Sequence, residues 1–226
     1  MPGEPMPERI VSAFHAMHDY FMAEIDRRRR HPGSDLISAL VAAHTESEAL
    51  TVDELLSFVI LLLLAGNETT TNLIGNGMLA LGRHPGQLAM LRKEPALIAR
   101  AIEEMLRYDG PVQSTVRHLN EDANLGGTSI AAKTMVFVIL AAADRDPAQF
   151  PNPETFDITR NPNDHVAFGE GIHFCIGAPL ARIEGAIAIG SALERFPNLR
   201  LANPDAPLEY KGSYFLRGLK ELRVTI

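Results

Sequence analysis

The stretch that decides the fold is FGEGIHFCIG, residues 168–177, which contains Cys175, the only cysteine of the 226-residue chain. Pro179 follows and opens an apolar run with helical spacing; proline suits a first helical turn because its missing N–H would be unpaired there anyway. Cys175 is therefore predicted to lie just ahead of a helix N-terminus, where free N–H groups and the positive dipole end favour a thiolate. Three glycines allow positive φ and close backbone approach to a flat ligand: Gly169, Gly171 and Gly177.

Two interpretations of this cysteine compete. A lone cysteine in an ordinary protein is most often a small buried hydrophobe. A thiolate in a glycine-rich loop is also a suitable axial ligand for haem iron. The spacing F-G-x-G-x-H-x-C-x-G resembles the signature of the cytochrome P-450 family, the haem-thiolate monooxygenases, and every fixed position is filled. The resemblance implies haem b (iron protoporphyrin IX) as cofactor, Cys175 as its proximal ligand, and Phe168, Gly169 and Gly177 as residues that line it.

Composition and charge argue against several other classes of protein. Hydrophobic residues make up 46% and charged residues 22%, and the net charge of −7 gives no indication of nucleic-acid binding. One cysteine permits no internal disulfide and is typical of a reducing compartment. The start of the sequence lacks an apolar signal segment, and the apolar run at residues 58–65 is too short to span a bilayer. We therefore expect a cytoplasmic protein with no membrane or nucleic-acid partner.

Apolar periodicity predicts a mainly helical chain. Helices are expected over residues 7–30, from Ser34 or Asp35 to about His44, and over residues 51–82, 87–92, 95–108 and 179–196. Thr51 and Glu54 have the spacing of a capping box at the start of the longest of these helices. In the last helix, a set of apolar residues is expected to be largely buried: Leu180, Ile183, Ile187, Ile189 and Leu193.

The longest predicted helix is interrupted in its middle by AGNETT, residues 65–70. Gly66 costs about 1 kcal/mol relative to alanine in a helix interior, and Glu68 breaks an otherwise apolar face. If one of these residues stood alone, a polar segment that faces solvent would be the simpler interpretation. Two departures from helix preferences at the same point are typical of functional sites. The pattern A-G-x-E-T-T resembles the oxygen-binding segment of the same family. The resemblance implies that Ala65 makes room for haem and that Glu68 and Thr69 handle protons for dioxygen cleavage.

Glu104 and Arg107 stand at i and i+3 in a predicted helix, close enough to pair. E-x-x-R alone is a weak signal, because a surface ion pair contributes less than about 1 kcal/mol. In the family that the chain resembles, this pair is buried and structural, and a basic residue of the P-x-x-F segment joins it. Here Thr155 stands at that place, and Arg160 is the candidate substitute.

Between these helices and the cysteine loop the pattern changes from helical to extended. Short extended pieces are predicted at residues 113–118 and 134–140, with a glycine turn at residues 126–127 between them. Residues 141–163 are expected to form a helix-poor, proline-rich passage that runs irregularly toward the cysteine loop. Residues 197–226 are predicted to form strand and turn. The sequence therefore predicts a small β-sheet beside a helical mass.

Further site residues rest on the resemblance alone. It implies that Arg117 and His173 bind the haem propionates, although each residue is also common on an ordinary protein surface. It also implies that Val112 and Val116, in an extended segment over the haem, and Phe215, in the last turn, contact the substrate.

Together these predictions define a mainly α fold with a small β-sheet, resembling the C-terminal portion of the cytochrome P-450 fold with its long central helix and cysteine loop. Residues 1–226 are interpreted as part of a single haem domain whose N-terminal part is absent. The implied activity is reductive O2 activation and oxygen insertion into a small apolar organic substrate, with a ferredoxin and its reductase as electron donors. The alternative is a truncated, non-enzymatic remnant with weak or no haem binding. Peroxide-driven oxidation by the same haem is a third hypothesis.

Overall fold

The computed structural model describes residues 7–47 and 50–226, which are mainly helical with short two-stranded antiparallel sheets, as the sequence predicts. The helices are α1 (Glu8–Arg30), α2 (Leu36–Ser47), α3 (Val52–Arg83), α4 (Pro85–Lys93), α5 (Ile98–Asp109), α6 (Leu140–Ala143) and α7 (Ala178–Arg195). The strands are β1 (Thr115–His118), β2 (Ala123–Leu125), β3 (Thr128–Ile130), β4 (Met135–Val138), β5 (Arg200–Leu201) and β6 (Val224–Thr225). Among the described residues, no helix combines the length and apolar character that a membrane span requires. The chain divides into two compact units, Met1–Asn67 and Glu68–Ile226, with the boundary inside α3.

The first unit contains α1, α2 and the N-terminal part of α3. Its core consists of apolar side chains from all three helices: Ile25, Val41, Leu55, Leu56 and Val59. Each buried side chain of this size stabilises the fold by about 1.5–3 kcal/mol. Several apolar residues of α1 remain exposed, among them Phe14 and Tyr20. The predicted first helix is confirmed, although it is the C-terminal part of α1 that packs into this core.

Side-chain caps fix where α2 and α3 begin. Asp35 Oδ1 accepts the backbone N–H of Ser38 at 3.0 Å, so Asp35 caps α2. At the start of α3, the Glu54 carboxylate accepts the N–H of Thr51 at 2.7 Å, and the Thr51 hydroxyl accepts the N–H of Glu54 at 3.2 Å. The hydrogen bonds that the Thr51 N–H and hydroxyl donate to the Glu54 carboxylate lower the pKa of Glu54. The predicted capping box is confirmed, and α3 runs for 32 residues from it.

The second unit is built on α5, α7 and the C-terminal part of α3, which share one apolar core. Its largest members are Leu73, Leu81, Ile102, Met105, Leu106, Phe156, Ile158 and Ile189. Gly185 of α7 lies close to α5, since a Cβ there would be 3.2 Å from Ile102 Cδ1. This close packing holds the start of α7, and with it the loop that precedes α7, on a rigid base.

The burial predicted for α7 is wrong at three of its five positions. Ile189 and Leu193 are buried as predicted, but Leu180, Ile183 and Ile187 are exposed at 59%, 56% and 63%. The reason is that α7 carries apolar residues on two sides, and a period of three to four residues fits both stripes. The stripe that meets α5 is covered, and the other stripe is not.

The extended region is broken into more pieces than the sequence indicates. β1 pairs antiparallel with β4, and β2 pairs with β3 as a separate hairpin between them. Gly126 and Gly127 close that hairpin with φ values of 56° and 82°, which favour glycine, so the predicted turn is confirmed. The extended piece predicted to end at Leu140 ends instead at Val138, because Leu140 begins α6.

Candidate functional site

The cysteine loop, residues 168–177, is a tight turn held by its own backbone. The N–H of Cys175 donates to the Phe168 carbonyl at 2.9 Å, and the N–H of Ala178 donates to the Cys175 carbonyl at 3.2 Å. Since α7 begins at Ala178, the sulfur lies just ahead of the N-terminus of an 18-residue helix, as predicted.

Two of the three glycines in the loop use the conformational freedom that the sequence suggested. Gly169 and Gly171 have φ values of 76° and 67°, which other residues rarely adopt. Gly177 does not use it, because its φ is −84° and it serves as the N-cap of α7. A Cβ on Gly177 would lie 3.8 Å from the Cys175 sulfur, an ordinary contact distance.

The surroundings of Cys175 are apolar and exposed. The cysteine itself is exposed, and large apolar side chains before and after it in sequence are exposed as well: Ile172 at 98%, Phe174 at 50%, Ile176 at 76% and Leu180 at 59%. Soluble proteins rarely leave such residues clustered in water unless they bind something. The loop therefore combines a nucleophilic sulfur with an apolar surround, which suits a large apolar ligand coordinated at one atom.

A charged network that sequence reasoning missed supports the loop from α5. Arg182 of α7 makes two hydrogen bonds to the Glu103 carboxylate, at 2.7 and 2.8 Å, and His165 lies 3.1 Å from the same carboxylate. Burial alone would raise the pKa of Glu103, but the hydrogen bonds from Arg182 and His165 outweigh it and hold that pKa at about 2. The Arg182 guanidinium also lies 4.6 Å from the centre of the Phe168 ring. Phe168, whose carbonyl accepts the Cys175 N–H, is therefore itself held in place by Arg182.

A second missed residue, Asp144, holds the segment that enters the loop. Asp144 is 2% exposed, and its carboxylate accepts the N–H of Val166 at 2.7 Å. Burial raises the pKa of Asp144, against the opposing effects of the Val166 N–H and of the charges of His165 and Arg107. The sequence signal, an acid directly after a short apolar helix, is too common to indicate this role.

Glu104 and Arg107 form a buried ion pair on α5. Arg107 donates to the two Glu104 carboxylate oxygens at 2.8 Å each, and both side chains are fully buried. Arg107 also donates to three backbone carbonyls, those of Asp144, Pro153 and Thr155, at 2.9–3.1 Å. A buried pair of this kind persists only when its remaining donors and acceptors are satisfied, as they are here.

Arg160 joins this pair, as the sequence suggested. Its Nε lies 3.1 Å from Glu104 Oε2, and its side chain is 10% exposed. The Thr155 carbonyl accepts hydrogen bonds from both arginines. Thr155 therefore takes part through its backbone although it lacks a basic side chain. The Asp157 N–H and the Asn163 amide complete the set of donors to Glu104.

The two predicted proton-handling residues are consecutive on α3. Glu68 is half-buried, and its Oε1 accepts a hydrogen bond from Lys211 Nζ at 3.3 Å. Thr69 is half-buried beside it. Lys211 also bonds to Asn72, one turn further along α3. Ala65 is exposed and belongs to the first unit, Met1–Asn67.

The predicted propionate residues, Arg117 and His173, are both exposed. Arg117 lies in β1, where its Nη1 donates to the Val116 carbonyl at 2.9 Å and to Thr115 Oγ1 at 3.2 Å. His173 ends the short 3₁₀ turn Gly171–His173 of the cysteine loop. The hydrogen bonds of Arg117 are thus with its own strand.

The three predicted substrate residues lie on neighbouring elements. Val112 forms an antiparallel bridge with Leu216, which places β1 beside the last turn of the chain. Val116 lies opposite Phe137 in the pairing of β1 with β4, and the Phe137 ring stacks on Phe215 with 6.0 Å between centroids. Both rings are exposed, at 51% and 42%. Phe137 completes this apolar surface, and its place opposite Val116 could be found only once the strand register was known.

Comparisons with known proteins agree with this combination of fold and cysteine loop. The sequence model of the family "Cytochrome P450" matches residues 4–224. Cytochrome P450 107B1 of Saccharopolyspora erythraea is 48% identical over 219 residues, covering 96% of this chain and 54% of the relative. Among solved structures, P450BioI in complex with an acyl carrier protein ligated with hexadec-9Z-enoic acid superposes with a TM-score of 0.89 at 46% identity, covering 96% of this chain and 54% of that one. CYP109E1 of Bacillus megaterium in complex with testosterone gives a TM-score of 0.91 at 42% identity, covering 96% and 60%.

These matches define the class of protein: the chain belongs to the cytochrome P450 family. It corresponds to the C-terminal half of the family fold and spans about half the length of the curated relatives it matches. Membership implies a haem cofactor and, at the level of the family, monooxygenase chemistry.

The residues present fit haem as that cofactor. In the part of the chain that the structure describes, no group of three or more His, Cys, Asp or Glu side chains could hold a metal ion by itself. Haem needs only an axial ligand from the protein. Cys175 supplies an exposed sulfur in apolar surroundings, as such a ligand requires.

Proposed function

We propose that this chain is the cysteine-bearing part of a haem-thiolate monooxygenase that inserts one oxygen atom of O2 into a small apolar organic substrate. The observation that carries the proposal is the exposed sulfur of Cys175 in a glycine-rich turn before α7, among exposed apolar side chains. In this proposal residues 1–226 form part of one haem domain, and the cofactor is haem b.

Cys175 is the proposed iron ligand. Haem, when bound, supplies the oxidation chemistry, namely O2 reduction and transfer of one oxygen atom. The bond from the Cys175 N–H to the Phe168 carbonyl keeps the loop closed around the sulfur. Phe168, Gly169 and Gly177 line the cofactor, because an aromatic side chain and two residues without side chains leave a flat apolar surface.

Arg117 and His173 are the proposed partners of the haem propionates. Arg117 is exposed, and its internal bonds use a single guanidinium nitrogen, Nη1. A guanidinium has five N–H donors in a planar fork that matches a carboxylate. His173 is exposed in the loop of the ligand cysteine, so both residues are accessible to an anionic group.

Glu68 and Thr69 are the proposed proton-handling groups. A carboxylate oxygen can accept a proton and pass it on, and a hydroxyl both donates and accepts. Positioned acid–base groups typically contribute about 10²–10⁴-fold to a rate. Ala65, three residues before the acid, is small enough to leave room for a ligand.

The proposed substrate is apolar, and Val112, Val116 and Phe215 contact it. Supporting this, the exposed rings of Phe215 and Phe137 stack beside β1. Two solved relatives carry apolar molecules, a hexadecenoic acid on its carrier protein and testosterone. A ferredoxin and its reductase are the proposed electron donors, by analogy with the family.

A second candidate function is a non-enzymatic remnant that binds haem weakly or not at all. The observation that favours it is that Cys175 and its apolar neighbours Ile172 and Ile176 are exposed and not enclosed by the described residues. The apolar stripe of Leu180, Ile183 and Ile187 on α7 is also uncovered.

One experiment separates the two candidates. The purified 226-residue chain, loaded with haem, reduced and exposed to CO, should give the strongly red-shifted Soret band of a thiolate ligand. Cys175→Ala should abolish that band, whereas Glu170→Gln, which alters an exposed side chain of the same loop, should retain it. A chain without the band supports the remnant. A band that survives in Cys175→Ala removes Cys175 as the ligand.

A further inference from the structure

A lysine from the C-terminal segment binds the proposed catalytic acid. Lys211 Nζ donates to Glu68 Oε1 at 3.3 Å and to Asn72 Oδ1 at 3.2 Å, so one ammonium group spans two successive turns of α3. The partners are 143 and 139 residues apart in sequence. The contact is therefore made by tertiary structure and not by local helix geometry.

The backbone that carries Lys211 is fixed against α3. The N–H of Lys211 donates to the Gly218 carbonyl at 2.9 Å, and Tyr210 forms an antiparallel bridge with Leu219. Leu219 is buried in a small core with Leu79 of α3. Lys211 therefore projects from an anchored pair of strands, which reduces the entropy lost when its long side chain pairs with Glu68.

Asn72 determines how this ammonium group is held. Asn72 is 4% exposed, and since lysine has donors only, the amide must turn its Oδ1 toward Lys211. The Nδ2 atom is buried and finds no hydrogen-bond partner among the described residues. A buried donor without a partner destabilises the folded state. An arrangement that accepts this cost beside a carboxylate indicates a functional constraint at this point of α3.

We infer that Lys211, held by Asn72, is a positioning residue for Glu68. It keeps the carboxylate at one defined place on α3 through Oε1, so that Oε2 takes up or passes on a proton while the side chain stays in place. This inference rests on the proton-handling role proposed for Glu68 and deepens it.

The placement of Glu68 can be tested without catalysis. In the full chain labelled with ¹³C at glutamate carboxyls, the resonance that Glu68→Gln removes identifies Glu68. That resonance should shift in Lys211→Met and return toward its original position in Lys211→Arg, which keeps the charge. Lys220→Met is the matched control, because Lys220 forms an exposed ion pair with Glu209 at 3.1 Å in the same segment. An unchanged Glu68 resonance in Lys211→Met overturns the inference.

The functional consequence is tested in the haem-loaded chain, supplied with a ferredoxin, its reductase and an apolar substrate, by measuring product and peroxide formed per reductant. Lys211→Met should reduce product about two- to fivefold, the scale of a half-exposed ion pair, with Lys211→Arg recovering most of it and Lys220→Met unchanged. Glu68→Gln should reduce product further, and adding Lys211→Met to it should have no additional effect.

The two hypotheses fail differently in this assay. If Glu68→Gln lowers product while Lys211→Met does not, the positioning role is overturned and the proton role stands. If Glu68→Gln has no effect on product or peroxide, the proton role proposed for Glu68 falls, and with it the functional part of the inference. The carboxyl resonance then still decides whether Lys211 positions Glu68.

Discussion

Two charged clusters of the second unit differ in how their central carboxylate is buried and hydrogen-bonded. The Glu104 carboxylate is fully buried and receives donors from Arg107, Arg160, Asn163 and a backbone N–H. The Glu68 carboxylate is 45% exposed and receives one described donor, Lys211, at 3.3 Å. The first carboxylate is saturated with hydrogen-bond donors. The second is held at one atom and open to its surroundings.

The difference teaches how to separate structural from functional acids in this fold. A buried charge must be fully bonded, because each missing hydrogen bond is costly in a low dielectric. A residue that handles protons must change its bonding during the reaction, so an incompletely bonded acid is the better candidate. Three predictions, from the largest expected effect to the smallest, test this comparison.

Breaking the first cluster, in which Arg107 pairs with Glu104, should have the largest effect on stability. Arg107→Ala leaves Glu104 buried without its main partner, and such a loss costs about 3–5 kcal/mol. Arg160→Ala removes a more peripheral donor, 10% exposed, and should cost less, about 1–3 kcal/mol. Urea unfolding followed by circular dichroism measures both. Equal losses for the two variants would contradict the ranking by burial.

The Glu103 cluster should show an intermediate effect that depends on pH. The pKa of Glu103 is about 2 in the folded chain and about 4.5 ordinarily. Because the folded-state value is the lower one, the stabilisation is complete above pH 4.5 and is lost as the pH falls toward 2. With Glu103 28% exposed, wild type should lose about 2 kcal/mol more than Glu103→Gln over that range.

The measurement is the free energy of unfolding at several pH values between 5 and 2. Glu194→Gln, which changes an exposed carboxylate of α7, controls for the general effect of removing one carboxylate. Parallel pH curves for wild type and Glu103→Gln would show that Arg182 and His165 do not hold the Glu103 pKa down.

Breaking the second cluster, the ion pair of Lys211 and Glu68, should have the smallest effect on stability. Lys211→Met and Lys220→Met should each change the free energy of unfolding by less than about 1 kcal/mol, as for other partly exposed ion pairs. A loss above about 2 kcal/mol in Lys211→Met alone would assign Lys211 to the structural class. Thermal unfolding of both variants in parallel decides this.

Much of the fold could be predicted because local signals carried it. The start of α3 follows from the Thr51 and Glu54 pair, and the turn at Gly126 and Gly127 follows from residue types that favour positive φ. The position of Cys175 ahead of α7 follows from Pro179. In each case the deciding contacts lie within a few residues of one another.

Contacts between distant residues could not be predicted in this way. Arg182 and Glu103 are 79 residues apart, and Lys211 and Glu68 are 143 apart, so no periodicity links them. The exposure of Ile187 has the same origin, because which apolar stripe of α7 is covered depends on where α5 packs. The buried Arg107 pair was anticipated only through the resemblance to a family.

Gly218 gives the C-terminal segment an unusual intolerance to replacement. A side chain at this position would overlap the carboxamide of Asn72, which would have to rotate and release the ammonium group that it holds. In a library of random variants, alanine at 218 should therefore be depleted as strongly as a change at Lys211 itself. Replacing Gly218, which has no side chain, would then disturb the placement of Glu68, which lies one helical turn before Asn72.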